Sequence, residues 1–233
     1  MHAQLAPEPG REAHFKDHLL IVLLGLFIIA TVKVVETRMG VSFSDWGLYP
    51  RNTKGLLGIL TMPFLHGDFE HLFSNSFALL VLGLMILHFY PKVAWQVTLV
   101  SWLAGGILVW LFARPSFHIG ASGVVYGLSA FLFLSGVIRR DRRSNGAMLV
   151  VALLFGASIW GIFPFWVGIS WEGHLFGALS GCTMAVIYRN VDRIPRYIEE
   201  EEEPEEEQTG PEDQKIPGWE DDLEDWEDQM RQS

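Results

Sequence analysis

The sequence predicts an all-α polytopic membrane protein with six transmembrane helices. Half of its 233 residues are apolar, and its mean hydropathy is +0.25. Six apolar stretches, at about 18–35, 71–90, 93–113, 121–138, 147–166 and 172–188, approach the roughly 20 residues needed to cross a hydrocarbon core of about 30 Å. Backbone polar groups find no water in lipid, so such runs are expected to be helices. Basic residues also gather at alternate connections, as a fixed membrane orientation requires.

The first stretch follows Arg11 and Lys16, as a signal peptide would. No small-residue cleavage site comes after it and five further spans do, so it reads as a retained helix behind an N-terminal segment, residues 1–17. The connection 36–70 is long, and Phe43, Trp46, Tyr49, Leu56, Leu57, Ile59, Leu60 and Phe64 give it interfacial character. Arg139, Arg140, Arg142 and Arg143 lie between spans four and five, and Arg189, Arg193 and Arg196 follow span six. These mark the cytoplasmic side. Opposite them, 36–70 carries Arg38, Arg51 and Lys54, the third-to-fourth connection carries Arg114, and the fifth-to-sixth carries no Lys or Arg. An even number of spans then places both termini in the cytoplasm.

The net charge of −10 belongs to the C-terminal end. Residues 199–233 hold 17 acids against Lys215 and Arg231, which leaves the membrane part basic. An acidic tail, residues 191–233, is therefore expected. Its run Glu199–Glu207, broken only by Pro204, cannot bury enough apolar surface to fold. Trp219, Leu223, Trp226 and Met230 recur at helical spacing, either to dock on a protein partner or the basic loops, or as incidental aromatics of a solubilising tail. Repulsion keeps such a tail away from anionic lipid. Cys182 is the only cysteine, so no intrachain disulfide forms, and its apolar setting fits a packing role. The sequence offers no cofactor motif, and the partners expected are the bilayer and membrane proteins rather than nucleic acid.

Spans two, four and six run from outside to inside, and each carries unusual polar residues at its outer end. They are His71 and Asn75, Ser122, and His174. Strongly polar groups inside spans are costly and face the bundle interior, which makes them functional candidates. Gly123 and Gly127 on span four, and Gly177 and Gly181 on span six, give each helix a small-xxx-small surface. His174 shares its face with Gly177 and Gly181, so close approach brings its imidazole toward Ser122. A serine hydroxyl needs an adjacent base to act as a nucleophile, and histidine has the suitable pKa. Glu172 stands at the edge of span six, so a Ser122–His174 dyad is favoured over a triad. Tyr126, one turn beyond Ser122, can hold the imidazole by ring packing. His71 and Asn75, at i and i+4, with the Ser122 N–H, can supply oxyanion donors.

These residues resemble the rhomboid family of intramembrane serine proteases. The resemblance covers roughly residues 18–190. It rests on His71-Leu-Phe-Ser-Asn75 in span two, Gly120-Ala-Ser122-Gly123 with Tyr126 in span four, and His174-Leu-Phe-Gly177-Ala-Leu-Ser-Gly181 in span six. It implies a six-transmembrane-helix, rhomboid-like bundle over 18–190, with a water-filled cavity opening outward. It also implies a serine endopeptidase that cleaves transmembrane helices of other proteins. Ser122 would be the nucleophile, His174 the base, Tyr126 its packing partner and His71 with Asn75 the oxyanion hole. Gly120 belongs to the serine motif, and His66 matches a structural histidine of the family. By analogy, the compact six-span form belongs in a bacterial inner membrane. The family's Trp-Arg pair in the first loop is missing, since Trp46 and Arg51 are separated. Phe163, Phe165 and Trp166 are either a lateral gate for substrate or ordinary interfacial aromatics. The alternatives are a catalytically inactive rhomboid-like protein that binds membrane clients, a transporter, and a metal site of His66, Asp68, Glu70 and His71.

Overall fold

Apolar runs long enough to span lipid set the architecture, and Asp68, Asp141 and Ser170 cap three of the helices they form. The structure is a computed structural model that describes residues 11–166 and 168–192, and among these it is helical, with one isolated bridge between Leu48 and His118. The helices are α1 (Arg11–Met39), the short α2 (Gly58–Thr61), α3 (Phe69–Phe89), α4 (Ala94–Phe112), α5 (Ser122–Arg139), α6 (Arg142–Phe155) and α7 (Trp171–Ile187). A 3-10 segment, Gly156–Ile162, prolongs α6. Residues 193–233, with the acidic run and its aromatic positions, lie outside the described residues.

Among the described residues, five stretches are long and apolar enough to cross a membrane: Phe15–Met39, Phe69–Phe89, Ala94–Phe112, Ser122–Arg139 and Arg142–Ile162. The sixth, α7, has 17 residues, or about 26 Å of helix. It packs between α5 and α4, so protein rather than lipid covers most of it.

The first and fifth spans differ from the sequence reading: α1 runs on to Met39, the helical run from α6 stops at Ile162 before Phe163, Phe165 and Trp166, and both start early. Helix α1 begins at Arg11, inside the segment expected to precede it. Helix α6 begins at Arg142, five residues before the predicted span. Asp141 caps it, accepting from the Ser144 N–H at 2.8 Å and the Ser144 hydroxyl at 2.9 Å. Arg140, with φ 57°, turns the chain directly out of α5. The arginines assigned to a loop therefore stand mostly on helix ends.

The main core, including Leu82, Ile86, Val97, Leu128, Phe131 and Leu132, extends through the bundle from Ala78 and Val125, which line the cavity described below. At the end of α5 opposite Ser122, Arg139 is buried, its guanidinium 4.5 Å from the centre of the Tyr90 ring. It donates to the carbonyls of Tyr188 at 2.8 Å and Val191 at 2.6 Å, just past α7. Arg143 donates to the carbonyl of Asp192 beside it.

The chain between α1 and α3 is braced by polar side chains. Lys33 and Glu36, both buried, form an ion pair of 2.7 Å. Lys33 also donates to the carbonyls of His66 (2.9 Å) and Gly67 (2.8 Å), while Glu36 accepts from the Phe43 N–H at 2.7 Å. From α4, the indole N–H of Trp110 reaches the Asn52 carbonyl at 3.0 Å, and that of Trp102 reaches the Ile59 carbonyl at 2.8 Å. Arg51 adds a backbone bond to the Trp110 carbonyl at 2.9 Å. These contacts do the bracing for which the sequence offered no Trp-Arg pair.

Candidate active site

Helices α5 and α7 meet through glycine. A Cβ at Gly177 would collide with the Gly123 carbonyl, and one at Gly181 with the Gly127 carbonyl. The two helices run parallel with backbone against backbone, which larger residues would forbid. This seam carries Ser122, the first residue of α5, to His174 in the first turn of α7. Ser122 Oγ lies 2.9 Å from His174 Nε2.

The other imidazole nitrogen, Nδ1, lies 2.9 Å from the carbonyl oxygen of Gly161. Tyr126 stacks on the His174 ring at 4.1 Å between centroids and 8° between planes. Its hydroxyl donates to the Ser158 carbonyl at 2.6 Å. Glu172 is turned away, accepting from the Arg114 N–H at 3.2 Å and facing the Arg114 Nε at 3.6 Å. Arg114 also donates to the Ile169 carbonyl at 2.5 Å. The pair Ser122–His174 thus has no carboxylate as a third member among the described residues.

Helix α3 brings His71 and Asn75 to the same place. Asp68 starts that helix by accepting the His71 N–H at 2.7 Å. Asn75 is buried, and its Nδ2 has no hydrogen-bond partner. Across from them runs Gly120, with φ 105°, a conformation that favours glycine. A Cβ there would lie 2.6 Å from the His71 ring and 3.4 Å from Asn75 Nδ2. The Gly120 N–H is fixed by the Met62 carbonyl at 2.8 Å. His66 packs edge-on against His71, with ring centroids 5.0 Å apart. Burial first, then the neighbouring His71 and Lys33, hold its pKa down to about 4.

A cavity of about 1400 Å³ joins these groups, with Ser122, His174, His71, Asn75 and Tyr126 on its wall. Phe73, Phe77, Leu154 and Phe155 form an apolar flank where α3 faces α6. Phe163 and Phe165 stack at 5.4 Å, and Trp166 reaches the cavity.

The structure places Ser122, His174, His71, Asn75, Tyr126 and Gly120 on or against the cavity, Gly123, Gly177 and Gly181 in the seam, and His66 behind His71. Sequence reasoning missed four contacts. The carbonyls of Gly161 and Ser158 belong to the backbone and have no residue signature. Lys33 and Glu36 were visible as opposite charges at i and i+3 at the end of an apolar run. His118, buried, holds Ser170 at 2.6 Å between Nδ1 and Oγ, and Ser170 caps α7 by accepting from the Gly173 N–H at 3.3 Å. A serine just before an apolar helical run was its signal.

Similarity to known proteins shows the family. The rhomboid domain matches residues 53–191. A protein of Mycobacterium leprae is 33% identical over 204 residues, covering 83% of this chain and 80% of its own. One of Mycobacterium tuberculosis is 32% identical over 188 residues, covering 76% and 78%; both carry the name uncharacterized protein. RHOMBOID-like protein 4 of Arabidopsis thaliana is 27% identical over 133 residues, 55% of this chain and 33% of its own. A helical bundle with membrane-spanning segments, and a domain match over more than half the chain, make this an integral membrane protein of the rhomboid family.

Proposed function

We propose that the protein is an intramembrane serine endopeptidase that hydrolyses peptide bonds in or near the transmembrane helices of other membrane proteins. The observation that carries this reading is the 2.9 Å approach of Ser122 Oγ to His174 Nε2 on the wall of a large cavity. His174 takes the Ser122 proton as the oxygen attacks the scissile carbonyl. The oxyanion is received by His71, by the unpartnered Nδ2 of Asn75, and by the Ser122 N–H, which a helix leaves without an intrahelical acceptor. His174 then gives the proton to the leaving amine. A water admitted by the cavity hydrolyses the acyl-enzyme, with His174 again as base.

A continuous helix hides its carbonyls in intrahelical hydrogen bonds, so the substrate segment must open before Ser122 reaches it. Gly or Pro near the cut lowers that cost. The partners are accordingly transmembrane substrates within the bilayer. The protease unit spans 18–190 with both termini cytoplasmic, in a bacterial inner membrane, and the acidic tail is left to a protein partner.

The test is labelling of the purified protein with a serine-reactive fluorophosphonate, beside cleavage of a model transmembrane substrate. Labelling should depend on both Ser122 and His174, and Ser122→Ala should abolish cleavage while the protein still folds. Undiminished cleavage by Ser122→Ala protein would overturn the reading. A folded wild-type protein that neither labels nor cleaves would point instead to an inactive rhomboid-like protein that binds membrane clients.

A further inference from the structure

His174 has a partner on each ring nitrogen, and the two partners differ in kind. Ser122 Oγ can donate or accept, whereas the Gly161 carbonyl oxygen can only accept. A 2.9 Å hydrogen bond from Nδ1 to that carbonyl therefore requires the proton on Nδ1, which leaves the lone pair of Nε2 facing Ser122. This is the tautomer a general base needs.

The local sequence explains why the carbonyl is free. In a 3-10 segment the acceptor of residue i is used by the N–H of residue i+3. For Gly161 that residue is Pro164, which has no N–H. The next candidate, the Phe165 N–H, is taken by the Phe163 carbonyl at 2.8 Å. Gly161 itself must be glycine, because a Cβ would run into the Tyr126 hydroxyl and lie 3.1 Å from His174 Nδ1. Three residues earlier on the same segment, the Ser158 carbonyl accepts from the Tyr126 hydroxyl at 2.6 Å and so holds the ring that stacks on the imidazole.

We propose that the segment Gly156–Ile162, through the backbone carbonyls of Gly161 and Ser158, sets the tautomer and orientation of His174 and so takes the place that a carboxylate fills in a Ser-His-Asp triad. Gly161 is a positioning residue, and Pro164 is what keeps its carbonyl available. The inference rests on Ser122 and His174 acting as nucleophile and base.

The experiment reads the tautomer directly, from the ¹⁵N resonances of the His174 imidazole in detergent-solubilised protein, alongside the fluorophosphonate labelling rate of Ser122. The wild type should show the neutral ring protonated on Nδ1. Pro164→Ala supplies an N–H that competes for the Gly161 carbonyl. Gly161→Ala pushes the segment off Tyr126. Each should shift the tautomer toward Nε2–H and slow labelling by at least about tenfold, since a wrong tautomer disables the base. Adding Tyr126→Phe to Gly161→Ala removes the colliding hydroxyl and should recover part of the Nδ1–H population. Protonation on Nε2 in the wild type, or an unchanged tautomer and labelling rate in folded Pro164→Ala protein, overturns the proposal. Those outcomes differ from failure of the protease reading, which shows as cleavage that survives Ser122→Ala.

Discussion

Where α5 meets α7, backbone lies on backbone and contact is made by the absence of side chains, at Gly123, Gly127, Gly177 and Gly181. The chain between α1 and α3 is held by the opposite means, long polar side chains reaching carbonyls from Lys33, Trp102 and Trp110. The first region carries the serine and the histidine, and the second sets the start of the helix that carries His71 and Asn75. Steric contact fixes how closely two elements approach but is not directional. Hydrogen bonds fix direction and tolerate adjustment in side-chain length. The site thus joins one rigid half to one half that is positioned by bonds.

The strongest way to break this contrast is to put a side chain into the seam. Gly181→Val should lower stability by about 4 kcal/mol or more, because the collision is with backbone that cannot rotate away. Unfolding in detergent micelles, followed by circular dichroism, measures it; an unchanged midpoint would mean that the helices do not touch there. On the other side, Lys33→Met leaves Glu36 buried without its cation and should cost about 3 kcal/mol. Combining it with Glu36→Gln should recover part of that loss. Additive losses would show that the pair is not the unit that braces the chain.

The seam was legible in the sequence because its glycines and its polar residues both violate what a lipid-exposed helix wants. His71, Asn75, Ser122 and His174 could be grouped by depth for the same reason. The brace was less legible, since Trp102 and Trp110 look like ordinary apolar residues of a span, and Arg51 like a loop charge, until their carbonyl acceptors are known. Helix α6 starts before its apolar run because Arg142 and Arg143, which read as loop, follow the Asp141 cap, and Asp141 followed by Ser144 marks a helix start. Half of the support of His174 was legible, since Tyr126 stands one turn beyond Ser122 and stacks on the ring; the other half, the Gly161 oxygen at Nδ1, had no side-chain signature because it belongs to the backbone.

Two smaller effects sharpen the comparison. His66 lies behind His71 with its pKa held down to about 4 by burial, His71 and Lys33, while Asp68 pulls the other way. The unfolded chain, with an ordinary histidine near 6.5, binds the proton more tightly, so stability falls as pH falls through that window. Between about pH 6.5 and pH 5 the loss should be roughly 1 to 2 kcal/mol. His66→Asn should flatten the slope of the unfolding midpoint against pH, and an unaltered slope would assign it to other groups. Last, Trp110→Phe removes one indole bond to Asn52 and should cost only about 1 kcal/mol, read from the same unfolding curves. A loss as large as that at Gly181 would mean that the loop is not held by separable bonds.

The buried arginine at the opposite end of the bundle has a consequence for alignment. A glycine seam resists compression but offers little against sliding along its own axis. A slip of one residue moves a helix by about 1.5 Å, enough to separate a pair of atoms that now stand at 2.9 Å. Arg139, anchored on the Tyr90 ring and tied to the carbonyls of Tyr188 and Val191, joins the end of α5 to the end of α7 and blocks that slip. The meeting of hydroxyl and imidazole is thus indexed from the far end of the same two rods, as a ruler is read from its zero.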